Sequence, residues 1–561
     1  MDPETHRVVS ARARYCEVAL ALPLPQTFSY EVPEELAEGL GPGSVVRVPF
    51  ARRERVGVVT SLSETPPPVR ALKELRADLG EAYRLSELAL SLGNWVASYY
   101  ACSLGEALAL FFPPRPGTAA RKSPLEEVAA DPEPPHELSE DQEAALRCVL
   151  EPLLKGEYES FLLHGVTGSG KTEVYLHAIQ RAIELGKSAL VLLPEIALTP
   201  QTLGRLRARF PNRVAPYHSR LSHGERCAVW EAAAAGEVSV VVGARSSAFV
   251  PLKDLGLIVV DEEHDSSYKA DDRPRYHARD LALMRARMGK IPIILGSATP
   301  SLESYHNAQL GKHRRLVLPS RMGEVDLPAV EIVDLRRKEE SGEGPLGPRL
   351  DAALEEVLKR REQAILLHNR RGFARFVQCH ACGHVESCPS CDISLTWHLK
   401  SDHLRCHYCG HRRARPTTCP ECAQRVFRPH GTGTQRVELA LQSRFPAARV
   451  LRLDQDTSST KRGHQEILEK FAAGEADFLL GTQMVAKGLH FPRVSVVGVI
   501  SADAGLHFPD LRAHERAFQL LTQVAGRSGR TSPGRVILQT YDPEHRVLRR
   551  VLGHDVEGFL A

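Results

Sequence analysis

Eight of the chain's 12 cysteines fall between Cys379 and Cys422, a span of 44 residues, as four C-x-x-C pairs. The pairs are Cys379 and Cys382, Cys388 and Cys391, Cys406 and Cys409, and Cys419 and Cys422. No other feature restricts folding so tightly, because each pair can chelate one edge of a tetrahedral metal site and structural zinc takes four thiolates. Eight thiolates predict two closed zinc sites with no ligand left over, so the metals hold shape and perform no reaction. Spacing alone leaves the pairing open, since consecutive and nested partnerships both give two four-cysteine sites. Nearby His380, His384, His407 and His411 are alternative ligands that eight thiolates make unnecessary. On both sides of this block the pattern is alternating strand and helix, which makes it an insertion.

The chemistry must then lie elsewhere in the 561 residues, a length that predicts three or four domains. With 43% apolar and 25% charged residues the chain belongs with soluble globular proteins. No apolar run approaches the roughly 18 residues needed to span a bilayer, and no secretory leader is expected. The 72 basic and 69 acidic residues leave a net charge of only +3, so any nucleic-acid contact has to come from local patches. Paired thiolates and four scattered cysteines (Cys16, Cys102, Cys148, Cys227) suit a reducing, cytoplasmic setting better than a disulfide framework.

Residues 15–62 alternate apolar and polar positions between Gly and Pro turn signals, which predicts a β-rich N-terminal domain over 1–84. Residues 85–112 carry helical periodicity and run into a Pro-bearing linker, giving a region of 85–135. SFLLHG, SALVLLP, VSVVVGA, LGLIVVD and IPIILGS are continuous apolar runs with helical segments between several of them, the mark of parallel strands covered on both faces. They place a first α/β lobe at 136–325. AILLHN starts a second such series, which the cysteine block at 379–422 interrupts and RVLRLD, DFLLGT and VSVVGVI resume, so a second lobe spans 326–378 and 423–561.

GVTGSGKT, Gly165 to Thr172, matches G-x-x-x-x-G-K-[ST] between an expected strand and an expected helix. Backbone N–H groups of Gly165, Val166, Thr167, Gly168, Ser169 and Gly170 would cradle ATP phosphates, Lys171 would reach the β and γ phosphates, and Thr172 would ligate Mg2+. A Gly-rich turn matching by chance is the alternative, and its flanking elements argue against it. LIVVDEEH supplies carboxylates at a strand end, with Asp261 placed for Mg2+ and Glu262 for the attacking water. An arginine is still required against the charge on the transferring phosphoryl group, and QVAGRSGR offers Arg527 and Arg530 after a helix of the second lobe.

LLPEIALTPQ (192–201), GARSSAF (243–249), DEEHDSSYK (261–269), GSATPS (296–301), HNRRGFA (368–374), GTQMVAKGLHFP (481–492) and QVAGRSGR resemble, in order and spacing, the motif series of superfamily 2 helicases, and most closely the replication-restart helicases. The resemblance covers most of the chain, including the four C-x-x-C pairs. It implies two tandem RecA-like P-loop lobes, an N-terminal β-rich DNA-binding domain and a two-zinc insertion in lobe 2. It also implies a 3′ to 5′ motor, powered by ATP and Mg2+, that acts as a monomer on forked and single-stranded DNA, with primosome proteins and single-stranded DNA-binding protein as partners. Gln142 matches the glutamine that reads adenine, and Tyr268 and Tyr276 belong to an aromatic-rich loop whose rings would stack on bases or, alternatively, pack under the cleft. The family's zinc pairing is nested: Cys379, Cys382, Cys419 and Cys422 for one ion, Cys388, Cys391, Cys406 and Cys409 for the other.

The departures are specific. Phe28 and Lys73 match the family's pocket for a 3′ end, yet Ser29 stands where Asp is common and Ala51 where Gly is common, which weakens the implied 3′-end recognition. Only 85–112 and a short linker occupy the place of a winged-helix domain, and the chain stops near Ala561 where the family continues, so a shortened architecture is expected. Arg405, Arg412, Arg413 and Arg415 give the cysteine block a basic half that reads either as a DNA or partner surface or as a solvated face. Two other functions fit the same sequence: an ATP-binding, zinc-stabilised scaffold that recruits replication proteins without unwinding, and a translocase on duplex DNA.

Overall fold

The computed structural model describes residues 14–68, 71–119, 134–194, 200–322, 327–342, 344–368, 376–399, 401–425, 427–429, 434–454, 463–486, 491–528 and 534–561. The chain forms two compact units. One draws on Met1–Leu163, Lys171–Ser297 and Asn307–Val317, the other on His164–Gly170, Ala298–His306 and Leu318–Ala561.

The first unit begins with a six-stranded sheet. Its order is Lys73–Glu74, Phe28–Glu31, Tyr15–Leu20, Arg53–Ser63, Val45–Phe50 and Ala77–Asp78. Alternation along these strands buries Cys16, Val18, Leu20, Tyr30, Val46, Val48 and Val59 as one core. Ala51, at the hairpin after Val45–Phe50, has φ +52. The turn therefore demands the left-handed conformation that glycine adopts freely and alanine adopts at a cost of roughly 1 kcal/mol. Helices Glu87–Tyr99 and Leu104–Leu108 follow, the second closed by a capping box between Ser103 and Glu106. Gly105 crosses against Leu20 so closely that a Cβ would lie 1.6 Å from the Leu20 carbonyl oxygen, so this helix is packed onto the sheet. Tyr83 donates to the Glu231 carboxylate, and Tyr100 accepts from the His277 N–H at 3.1 Å, which ties the β-rich region to the α/β part of the same unit.

That α/β part is a seven-stranded sheet in the order Arg314–Leu318, Ser160–Gly165, Ile293–Ser297, Leu255–Asp261, Ser188–Leu192, Val240–Gly243 and Val214–Tyr217. The pairings of Leu255–Asp261 and Val240–Gly243 with their neighbours are parallel. All five apolar runs recognised in the sequence are strands here. The edge strands Val214–Tyr217 and Arg314–Leu318 carry no such run and were not anticipated. Fully burying each Val, Leu or Ile of the central strands contributes roughly 1.5–3 kcal/mol, which favours covering both faces with helices.

The second unit carries a six-stranded, all-parallel sheet in the order Ala329–Asp334, Arg535–Thr540, Val494–Val499, Gln363–Leu367, Phe478–Gly481 and Val450–Leu453. The cysteine block leaves after Gln363–Leu367 and is closed at its base by Val377–Cys379 pairing antiparallel with Phe427–Pro429. A second antiparallel sheet, Thr396–His398, His403–Arg405 and Arg412–Ala414, lies within it. Two contacts fix the block to its own unit. His380 stacks on Tyr541 at 4.2 Å, and the Gln378 amide donates to the buried carboxylate of Asp503 at 2.9 Å.

Candidate nucleotide and zinc sites

The phosphate loop turns at Gly168 and Gly170, with φ +87 and +77. Ser169 N–H donates to the Val166 carbonyl at 3.0 Å, and helix Lys171–Glu184 starts directly after the loop. Thr172 is exposed in the first turn of that helix, whose dipole favours an anion at this end. Within the first unit Lys171 lies near enough to Asp261 for its charge to pull the Asp261 pKa down. Desolvation and the neighbouring Glu262 carboxylate outweigh that pull and raise Asp261 to about 6.

The end of strand Leu255–Asp261 is held from several sides. Tyr175, from the helix after the phosphate loop, donates to Asp261 Oδ1 at 3.1 Å. Gly296 makes room for that ring, since a Cβ there would sit 1.5 Å from the Tyr175 hydroxyl. Tyr268 Oη lies 2.6 Å from the Asp261 carbonyl oxygen and 3.0 Å from that of Leu192. Glu262 has φ +46, a strained conformation for a non-glycine residue, and such strain concentrates at functional sites. Glu263 is fully buried against Arg279 at 2.8 Å, so the third residue of the DEEH box is half of a structural ion pair. His264 shares a 2.7 Å hydrogen bond with Ser297.

One expected role changes in this geometry and another is narrowed. Tyr268 and Tyr276 are 0% and 5% exposed, packed with Phe249 and the hydrophobic core, so neither ring is presented for stacking on a base. The hydroxyl of Tyr268 binds backbone instead, while the exposed part of that loop is charged, at Asp271, Asp272, Arg273 and Arg275. Gln142 is buried at the start of helix Glu140–Lys155, and its carboxamide oxygen accepts from Ser139 N–H at 2.9 Å in a capping box. That oxygen is committed to the helix cap.

In the second unit Gly526, at the end of helix Ala513–Ala525, abuts the phosphate loop. A Cβ on Gly526 would lie 2.7 Å from Thr167 Cγ2, and Arg527 is the next residue. Arg530 lies outside the described residues, as do 195–199, 369–374 and 487–490 of the other motifs. Sequence reasoning missed Tyr175, which carried only the signal of an apolar helix face.

The eight thiols gather into two nested clusters, Cys379, Cys382, Cys419 and Cys422, and Cys388, Cys391, Cys406 and Cys409, each with its sulfurs within 4.8 Å of one another. The sulfurs of Cys379 and Cys422, and of Cys382 and Cys419, are 3.6 Å apart, and those of Cys388 and Cys409 are 3.5 Å apart. Those separations approach the edge of a tetrahedron with zinc–sulfur bonds of about 2.3 Å and far exceed a disulfide. All four pairs share one turn. The first cysteine N–H bonds the carbonyl five residues on (His384, Ile393, His411, Gln424), and its carbonyl accepts from the residue after the second cysteine. That residue, Gly383, Asp392, Gly410 or Ala423, always has positive φ. The first thiol of each pair is buried and the second more exposed, so the fit to two structural zinc ions is complete without a histidine. Of the four arginines read as a basic half, Arg413 pairs with Glu386 and Arg415 with Asp402. Arg405 and Arg412 are cross-strand partners on the opposite face from Arg413, which halves the expected basic surface.

The strand orders and the phosphate loop define a two-lobed P-loop helicase core with an N-terminal β domain and a zinc-binding insertion. Family models agree along the chain: a 3′ DNA-binding domain over residues 17–113, a DEAD/DEAH box helicase over 139–308, the Cys-rich region of the PriA DNA helicase over 388–413 and a helicase conserved C-terminal domain over 427–532. The replication restart protein PriA of Chlamydia muridarum is 35% identical over 646 aligned positions, covering 100% of this chain and 85% of that protein. PriA of Bacillus subtilis is 49% identical over 448, covering 78% of this chain and 56% of that protein, so the chain spans only about half the length of that relative. RecG bound to a three-way DNA junction superposes with a TM-score of 0.46 at 18% identity, covering 76% of this chain and 46% of that one. This chain belongs to the PriA family of replication restart proteins.

Proposed function

We propose that the chain is an ATP-dependent 3′ to 5′ DNA helicase that recognises forked DNA and initiates primosome assembly for replication restart. The observation that carries this reading is the phosphate loop turning at Gly168 and Gly170 into helix Lys171–Glu184, with Tyr175 of that helix 3.1 Å from the strand-end carboxylate Asp261. Such a group is poorly placed alone and well placed next to a divalent cation. Asp261 and Thr172 would hold Mg2+, which would neutralise charge on the phosphates. In this reading Lys171 contacts the β and γ phosphates, Glu262 orients the attacking water, and Arg527 with Arg530 offsets charge on the transferring group. Gln142 would reach adenine through its amide nitrogen, since its oxygen caps a helix.

The β-rich region, which the 3′ DNA-binding model matches, is assigned to DNA. There Ser29 and Thr27 both donate to the Glu17 carboxylate on the adjacent strand, at 2.5 and 2.6 Å. Glu17 thus brings a carboxylate to the position where Ser29 departs from the family, which supports retained recognition of a strand end. Primosome proteins and single-stranded DNA-binding protein are the proposed partners of a cytoplasmic monomer. Among the described residues no helix is long and apolar enough to cross a membrane.

The test is Lys171→Ala. DNA-stimulated ATP hydrolysis and unwinding of a 3′-tailed fork are expected to fall to background, with fork affinity within about threefold of wild type, because uniform binding is left in place. Turnover at the wild-type rate would remove the assignment of the loop. Fork binding by the wild-type chain without strand displacement would replace the motor by the scaffold.

A further inference from the structure

The segment that leaves the first sheet after strand Arg314–Leu318 turns back along the phosphate loop, and the two are joined at three points inside one compact unit. Val166 N–H donates to the Leu318 carbonyl at 3.2 Å, and Met322 N–H donates to the Gly168 carbonyl at 2.9 Å. Arg321 Nε donates to the Thr167 carbonyl at 3.1 Å. The aliphatic stem of Arg321 also lies along Gly168, where a Cβ would be 3.7 Å from Arg321 Cγ. Arg321 is half-buried, and burial lowers its pKa from the ordinary guanidinium value, so its charge sits in a less hydrated setting than a surface arginine's.

The geometry of the peptide gives these contacts a consequence. The carbonyl of Thr167 and the N–H of Gly168 belong to one planar trans unit and point in opposite directions. A donor that holds the carbonyl on the linker side therefore turns the Gly168 N–H to the other side. Gly168, with φ +87, has no side chain to resist either orientation, so an external contact must choose one. Oriented N–H groups are what a loop of this kind offers to phosphate.

We infer that Arg321 is a positioning residue for the phosphate loop, binding the Thr167 carbonyl so that the Gly168 N–H is set for a nucleotide phosphate. This role rests on the ATP-hydrolysing reading of the loop, and the test separates the two.

The experiment measures steady-state ATP hydrolysis with saturating single-stranded DNA on the full chain, together with equilibrium binding of ADP. Wild-type hydrolysis is established first, and its absence would remove the underlying reading irrespective of Arg321. Arg321→Ala is expected to raise KM for ATP and weaken ADP binding about tenfold while kcat changes less than about threefold, the loss of one charge-assisted hydrogen bond made in ground and transition states alike. Arg321→Gln places an amide nitrogen at the position of Nε without the charge and is expected to recover most of the affinity. Thermal melting and zinc content identify a variant that has not folded. Unchanged KM and ADP affinity in a folded Arg321→Ala, or Arg321→Gln as impaired as Arg321→Ala, would overturn the inference.

Discussion

The chain holds two kinds of anionic cluster, and they are built in opposite ways. The thiolate clusters are closed: four sulfurs face one point, the turns that carry them are repeats of a single local pattern, and all eight ligands lie within 44 residues. The carboxylate end of strand Leu255–Asp261 is open. Its supports, Tyr175, Gly296 and Tyr268, come from separate elements of the first unit, and its charge is held at a disadvantage. A permanent ion suits the first arrangement, because the ion completes the fold. A cation that arrives and leaves with nucleotide suits the second, because a carboxylate raised to about 6 gains from a transient positive charge and does not depend on it for folding. Backbone strain occurs in both: Asp392 and Ala423 in the zinc turns and Glu262 at the open strand end have positive φ, whereas the phosphate loop uses glycine at both such positions.

The largest effect expected from disturbing this contrast is in the closed sites, where bound zinc contributes roughly 10 kcal/mol to folding of its module. Cys379→Ser combined with Cys422→Ser removes two ligands of one nested cluster, so about one zinc per chain should remain by metal analysis. A value near zero would mean that the two substitutions struck different sites and that the clusters are not nested.

In the open site the effect should be intermediate and reversible. Asp261 must be ionised to bind Mg2+, so the apparent Mg2+ affinity in ATP hydrolysis should fall as the pH drops through about 6, by up to tenfold per unit below it. Above that pH it should level off. The sign for stability is opposite: with its folded pKa raised, Asp261 makes the Mg2+-free protein less stable as pH rises from about 4 to 6. A Mg2+ dependence that stays flat from pH 7 to 5 would break the contrast, because Asp261 would then behave as an ordinary exposed carboxylate.

The smallest effect should come from relieving strain. Ala423→Gly is expected to stabilise the zinc module by roughly 0.5–1 kcal/mol, read as slower zinc release to a chelator. Faster release would show that the methyl group contributes packing that outweighs its φ of +56.

Much of this was legible before any coordinates. The five central strands of the first sheet announced themselves as apolar runs, since a strand covered on both faces needs apolar side chains at every position, whereas in the second sheet the interior strand Arg535–Thr540 was missed and the edge strand Val450–Leu453 was found. The edge strand Val214–Tyr217 was missed as well, because its burial depends on neighbours that no local pattern reveals. The phosphate loop, the carboxylate pair and the eight cysteines were likewise visible, as residue type and short spacing decide what they can bind. The aromatic loop misled, because a tyrosine offers the same ring to a base or to a core. Only packing against Phe249 and the Asp261 carbonyl assigned Tyr276 and Tyr268 to the interior.

The cysteine block marks the boundary between the two sources of information. Its sequence determined the ligand chemistry and the number of metal ions, since four C-x-x-C pairs exhaust two tetrahedra. The partnership between pairs was a tertiary outcome: strand Val377–Cys379 pairs with Phe427–Pro429, brings the first cysteine pair beside the last and leaves the middle two for each other. Arg321 shows the same limit for the nucleotide site. Nothing local in the residues between the sheets signals a function, because a hydrogen bond to the Thr167 carbonyl exists only once the chain has folded back onto its own phosphate loop.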